Sequence, residues 1–385
     1  MTVDRPFERV ESRVPRLDSS LTESLVTPAL LVDLAAARRN AERVLALCGD
    51  SAHWRPHLKT TKIPEVWAVL LDVGVRSFKV ATTRELEVLA ELGRRRGAQP
   101  IDVLFAQGLT PPSARRLGEI AAVNPWLTVA GLYEDERQLE WTPETVGLFL
   151  DVNPGGDRTG VPIGRTERLV ELARAAADRR RGLHCYEGHL HGDFPERGVA
   201  IDTVFRELGE LVAELDRVGL AAGEVVTSGT PAFRHVVDTR PLEGRPGVTR
   251  HSVSPGTVVF HDLRSELENP ELGLEPAATV LARVVSRPAI GRVTVDAGSK
   301  AIAAEAGDPV AVTLGHPDLK AAPCNEEHLP LDGVEADSSL VLGALIELVP
   351  RHICPSVNLH EHALLLETAD SGRPRRVPVA ARAHE

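Results

Sequence analysis

Five short segments carry residue types that can do chemistry. The first, Arg55-Pro56-His57-Leu58-Lys59-Thr60-Thr61-Lys62, ends a short apolar run. A lysine at such a strand end is partly desolvated and becomes an amine nucleophile. The second, Asp151-Val152-Asn153-Pro154-Gly155-Gly156-Asp157-Arg158-Thr159-Gly160, uses its glycines to make a tight loop that aims Arg158 at an anionic oxygen. In the third, Tyr186-Glu187-Gly188-His189-Leu190-His191, Tyr186 and His189 can donate to a ligand, or a histidine can bind a metal. The fourth is split between Thr227-Ser228-Gly229-Thr230-Pro231 and Ser254-Pro255-Gly256-Thr257. These small hydroxyl and glycine residues supply N–H and O–H donors for a phosphate. A strand-end lysine and a later phosphate cradle together suggest pyridoxal phosphate, which needs an amine for a Schiff base and an anchor for its phosphate. The fifth, Pro350-Arg351-His352-Ile353-Cys354-Pro355, puts imidazole and thiolate two residues apart. In extended chain both face the same side and reach one metal ion, with Zn²⁺ favoured. Two ligands leave coordination positions open, as a Lewis acid requires.

The elements that must position these residues follow from the hydrophobic pattern. Ala29–Val32, Trp54–Leu58, Ser77–Ala81, Val103–Ala106, Thr128–Leu132, Gly147–Val152, Leu183–Glu187 and Glu224–Thr227 read as strands. Between them lie stretches such as Arg84–Leu92 and Thr166–Arg179 with apolar residues at helical spacing. Such alternation predicts right-handed βαβ units, and eight strands predict an α/β fold with a (β/α)₈ barrel. A doubly wound sheet is the alternative, but no G-x-G-x-x-G follows the first strand. After about residue 240 proline and glycine become frequent and short β runs take over, predicting a second, mainly antiparallel domain with a frayed tail over Arg373–Glu385. We place the barrel at 25–262 and the β domain at 263–385, with 1–24 packing on the latter.

The chain has 385 residues and a formal charge of −11, so nothing electrostatic points to nucleic acid or an anionic membrane. It has neither an apolar run of membrane-spanning length nor the h-region of a signal peptide, and a cytoplasmic enzyme is expected. The four cysteines, Cys48, Cys185, Cys324 and Cys354, are scattered without a C-x-x-C pair, which suits thiols in a reducing compartment.

Arg55–Lys62 resembles the R-P-H-x-K-T-H-K signature of the D-threonine aldolase / D-serine dehydratase family of pyridoxal-phosphate enzymes, relatives of alanine racemase. The resemblance also takes in Thr27–Asp33, Asp151–Val161, Tyr186–His189, Asp296–Lys300, Glu326–His328 and Pro350–Asn358, and so spans roughly residues 25–368. It implies an alanine racemase-like barrel followed by a β domain, and a homodimer. It also implies that Lys59 carries the cofactor, that Ser228, Gly229, Thr230, Gly256 and Thr257 hold the phosphate, that Arg158 lies near the phenolate oxygen and that Tyr186 lines the ring. His352 and Cys354 would hold the divalent metal (Zn, with Mn or Mg as alternatives). Two departures stand out: Thr61 replaces a histidine of the signature, and Thr257 stands where relatives often carry tyrosine. The implied reaction is lysis of a D-β-hydroxy amino acid. Cys354 leans it towards dehydration to a 2-keto acid and ammonia, whereas Tyr186–His189, with His189 as base, resembles the aldolase side. A racemase and a non-catalytic pyridoxal-phosphate carrier are the other readings. The first lacks a visible second base, and the second would not need the β domain.

Overall fold

A computed structural model of the chain describes residues 6–335, 338–368 and 372–384. It divides into two compact units. One comprises Met1–Arg43, Thr60–Val69 and Thr257–Arg382, and the other Val44–Lys59, Leu70–Gly256 and Ala383–Glu385. No helix among the described residues is long and apolar enough to cross a membrane.

The first strand, β1 (Ala29–Asp33), corrects the sequence reading. It was expected to open the barrel, yet it pairs antiparallel with Ala278–Leu281 and parallel with Ala363–Leu366 in the first unit. An apolar run followed by a helix looks the same in either sheet, so order along the chain was a poor guide to its partner.

The second unit holds a parallel sheet of β2 (Ser77–Val80), β3 (Ile101–Gly108), β4 (Leu127–Tyr133), β5 (Gly147–Asn153), β7 (Arg180–Cys185), β8 (Gly223–Thr227) and β9 (Val248–Val253), with the two-residue β6 (Val161–Pro162) beside β5. The segment Trp54–Leu58 closes it. Trp54 bridges Val253 of β9 and His57 bridges Lys79 of β2, and the backbone bonds Arg55 N–Val253 O (2.9 Å), Lys79 N–Pro56 O (2.9 Å) and Leu58 N–Lys79 O (2.8 Å) complete the join. Seven strands and this stave make the eight-membered, alanine racemase-like barrel. At some of its helix starts a side chain satisfies the first N–H groups. Before Thr83–Arg95, for instance, the Thr82 hydroxyl accepts from Glu85 N while the Glu85 carboxylate accepts from Ala81 N.

The strand predicted first is thus replaced by one that was not predicted. In β9, Val-Thr-Arg-His-Ser-Val, two basic side chains interrupt the apolar pattern. Both have buried duties: Arg250 pairs with Glu224, and His251 Nε2 lies 2.8 Å from Thr227 Oγ1.

At the amino end of the barrel, Arg55 is fully buried. It makes three bonds of 2.9–3.1 Å to the Glu224 carboxylate, one of 3.1 Å to Asp102 and one of 3.3 Å to Phe78 O. Arg181 closes on Asp102 as Arg250 does on Glu224. Burial pushes the Asp102 carboxyl up, but Arg55 and Arg181 outweigh it and hold the group down at about 2.

The first unit contains β1 and the strands β10 (Ala278–Ala289), β11 (Arg292–Val295), β12 (Ala311–Leu314), β13 (Lys320–Ala321), β14 (Leu329–Asp332), β15 (Leu345–Pro350), β16 (His362–Leu366) and β17 (Arg375–Pro378). All their pairings are antiparallel except β1 with β16. The core is aliphatic, with Val280, Val293, Ile302, Leu331, Ile346 and Leu348 at its centre. Arg13, buried between Asp33 and Glu347 at 2.9 Å each, ties the N-terminal segment to this sheet. The tail predicted to fray instead forms β17, with Val377, Val379 and Ala381 buried. Their alternation was hidden among Arg375, Arg376 and Arg382.

Arg55→Met removes the cation from Glu224 and Asp102 and leaves both carboxylates buried. Urea unfolding is expected to show a loss of about 3 kcal/mol with the fold retained.

Candidate functional site

In the second unit the candidate residues follow the carboxyl ends of the strands, where loops of such barrels carry chemistry. Lys59 stands exposed one residue beyond the closing stave. After β5, the Asn153 side chain builds the loop: its Oδ1 accepts from Gly155 N (2.9 Å) and Asp157 N (3.1 Å), and its Nδ2 donates to Asp157 Oδ1 (2.9 Å). Gly155 and Asp157 take left-handed backbone there, and the turn sends Arg158 to 4.7 Å from the Tyr186 ring. A Cβ on Gly188 would stand 2.1 Å from that ring and one on Gly229 2.8 Å from it, so glycine is required at both. His189 is exposed and packs over Gly155 and Gly156.

After β8, Ser228 adopts φ +56°. Its N–H donates to Glu187 Oε2 at 3.2 Å and its carbonyl accepts from Ser254 N at 2.9 Å. Gly229 begins the helix Thr230–Thr239 without a capping side chain, and a helix start of this kind favours an anion. Ser254 Oγ and Glu187 Oε1 are buried without a protein partner. Gly256 ends this unit, and Thr257 begins a segment of the other.

Sequence reasoning missed a buried chain inside the barrel. Lys79 Nζ lies 3.1 Å from His184 Nε2, and His184 Nδ1 lies 2.7 Å from Asp151 Oδ1. The two bonds select one tautomer: neutral His184 donates from Nδ1 to Asp151 and accepts at Nε2 from Lys79. Burial and the neighbouring Lys79 push His184 below its ordinary value. Burial, then Lys59, push the Lys79 ammonium down to about 7. Lys79 also sits 5.4 Å from the centre of the Tyr186 ring. The available signal was a lysine in the middle of Ser-Phe-Lys-Val, a strand whose residues are all buried.

In the first unit, His352 and Cys354 are neighbours, though not on the strand predicted for them. β15 ends at Pro350, His352 is the N-cap of the helix Ile353–Leu359, and Cys354 lies in its first turn. Pro355 suits that turn, where its missing N–H costs nothing. Cys354 Sγ is 3.1 Å from Thr60 Oγ1 and 3.3 Å from Thr257 Oγ1. Burial would raise the thiol, but His352 and the hydroxyl of Thr257 prevail and lower it. Glu305 takes the other face of the imidazole at Nδ1. Burial lowers His352, yet Cys354, Asp262 and Glu305 outweigh it and lift the group to about 9. Among the described residues no third histidine, cysteine or carboxylate completes a metal cluster. Thr61, the departure from the signature, accepts from Trp67 Nε1 at 2.7 Å. Two other segments of the resemblance meet here: Asn325 and Glu326 crowd Gly298 so closely that a Cβ would fall 2.4 Å from their carbonyl oxygens, and Lys300 pairs with Glu326 and Glu327.

Comparison with known proteins agrees with both units. The family model "Alanine racemase, N-terminal domain" matches residues 32–255, and "Putative serine dehydratase domain" matches 277–366. A D-threonine aldolase of an Arthrobacter species is 27% identical over 349 residues, 87% of each chain. The D-threo-3-hydroxyaspartate dehydratase of Delftia sp. strain HT23 is 26% identical over 374 residues, 88% of this chain and 92% of that one. The crystal structure of D-threonine aldolase from Filomicrobium marinum superposes with a TM-score of 0.80 at 25% identity, covering 93% of this chain and 96% of that one. The chain is an enzyme and belongs to the alanine racemase-like, pyridoxal-phosphate-dependent family that includes D-threonine aldolases and D-serine dehydratase-like lyases.

Proposed function

We propose that the protein is a pyridoxal-phosphate- and divalent-metal-dependent lyase that dehydrates a D-β-hydroxy amino acid to a 2-keto acid and ammonia. The observation that carries this reading is the placement of His352 and Cys354 together at the start of one helix, in a chain whose barrel is alanine racemase-like. Both groups suit the residues present. The uncapped helix start at Gly229, the unpartnered Ser254 Oγ and the two glycines pressed against Tyr186 fit an aromatic ring bearing a phosphate. A lowered thiol beside an imidazole fits a borderline-soft cation such as Zn²⁺.

When bound, pyridoxal phosphate supplies an electron sink for the Cα bonds and the metal a Lewis acid for the β-hydroxyl. The protein's own groups do the rest. Lys59 holds the cofactor and, once released, takes the Cα proton. Arg158 and Tyr186 orient the ring, and Ser228, Gly229, Thr230, Gly256 and Thr257 accommodate the phosphate. Within the first unit the Thr60 hydroxyl reaches the Cys354 thiol. Loss of the hydroxyl as water, followed by hydrolysis, leaves keto acid and ammonia. Retro-aldol cleavage is the second reading, favoured by exposed His189 over the Gly155–Gly156 loop, where an imidazole can take a hydroxyl proton. We also read the protein as a cytoplasmic homodimer.

Incubation with D-serine, D-threonine and D-threo-3-hydroxyaspartate tests the reaction. Keto acid with ammonia is expected; glycine with an aldehyde would give the second reading, and turnover of none would overturn both. Chelation or Cys354→Ala is expected to cut turnover at least about 100-fold, and unchanged turnover would remove the metal from the reading. Glu305 holds His352 by Nδ1 and presents Nε2 to a cation, so Glu305→Gln should weaken metal binding roughly 10–100-fold in chelator competition.

A further inference from the structure

The chain Asp151–His184–Lys79 has no part in the chemistry above. Its members come from three strands: Asp151 from β5, His184 from β7 and Lys79 from β2. All three are buried, at 2–3% exposure. A buried lysine usually escapes the cost of burial by pairing directly with a carboxylate. Lys79 does not. Its hydrogen-bond partner is a neutral imidazole nitrogen, and Asp151 is reached through that ring. The charged groups around it are Lys59 after the closing stave, Arg158 after β5, Glu187 after β7 and Asp151. Two of these are cations that oppose its charge. Glu187 is itself displaced, because burial raises its carboxyl above the ordinary range. The Lys79 charge is therefore held in balance rather than locked in place, and it faces the Tyr186 ring that Arg158 approaches as well.

We propose that Lys79, held by His184 and Asp151, is a positioning residue that sets the positive charge of the barrel mouth towards its anionic cofactor, adding a cation when protonated and none when neutral. The inference rests on the proposal that the mouth binds pyridoxal phosphate. Burial places the change near neutrality, at about 7. The sign follows: below that pH Lys79 adds its positive charge to that of Arg158 towards the anion, and above it Lys79 adds none. Affinity for the anion should fall as pH rises through neutrality. Asp151 favours the charged form of Lys79, so removing its charge should move the change to lower pH.

Pyridoxal phosphate binding to the full-length apoprotein, measured from pH 6 to pH 9, tests this without using turnover. Lys79→Met should bind about tenfold more weakly than wild type at pH 6 and equally at pH 9. Lys79→Arg, a permanent cation, should match wild type at pH 6 and bind about tenfold more tightly at pH 9. Ionisation of the cofactor itself is common to all variants and cancels in these ratios. Asp151→Asn adds no bulk and should shift the break to lower pH, which keeps the proposal testable if arginine does not fit at position 79. Ratios that stay flat with pH in folded variants would overturn the inference, as would an unmoved break in Asp151→Asn. Absence of pyridoxal phosphate binding by the wild type at every pH would instead overturn the reading on which it rests.

Discussion

The second unit depends on one buried cation. The stave that carries Lys59 is joined to its neighbours by single bridges, too few hydrogen bonds to fix a strand by the ladder alone. Arg55 supplies what the ladder lacks. From within the barrel it reaches Glu224 on β8, Asp102 on β3 and the backbone of β2, so one side chain binds the closing stave to three others. A planar guanidinium suits this role because its donors diverge in a rigid fork. Lysine, a compact point charge with three donors, lacks the planar fork that grips the Glu224 carboxylate with two nitrogens. The ionic network lies at the amino end of the barrel and Lys59 at the carboxyl end, which separates the group that secures the stave from the amine proposed to react.

The interior above that network is polar by design of the same kind, but less completely paired. Asp151 Oδ2, Glu187 Oε1 and Ser254 Oγ are buried without protein partners, and Lys79 meets an imidazole where a carboxylate would be the ordinary choice. Such incomplete satisfaction costs stability and is kept where a site uses it. The first unit follows the same logic at smaller scale. Two threonine hydroxyls and an imidazole surround Cys354 Sγ, favouring the thiolate that a metal requires.

Much of this was legible in the residues. The lysine segment, the glycine-rich Arg158 loop and the Ser228–Thr230 turn are local features that a linear chain displays, whereas the change of texture near residue 240 falls inside the second unit, which runs on to Gly256. What was hidden depends on distant partners. β1 looked like a barrel strand because its apolar run is indifferent to which sheet receives it. β9 did not look like a strand at all, because Arg250 and His251 answer to Glu224 and Thr227 rather than to a periodicity. His352 and Cys354 lie near one another at a helix start rather than by the strand alternation expected for them. The Lys79–His184–Asp151 chain links residues 33 and 105 positions apart, a separation at which spacing carries no signal.

The central claim is that this architecture delivers one particular amine, Lys59, to pyridoxal phosphate while keeping the second, Lys79, inside. Borohydride reduction of the cofactor-loaded protein followed by peptide mass mapping tests it directly. The account predicts the stable pyridoxyl adduct on the peptide containing Lys59 and none on that containing Lys79. An adduct on Lys79, or on neither, would contradict it.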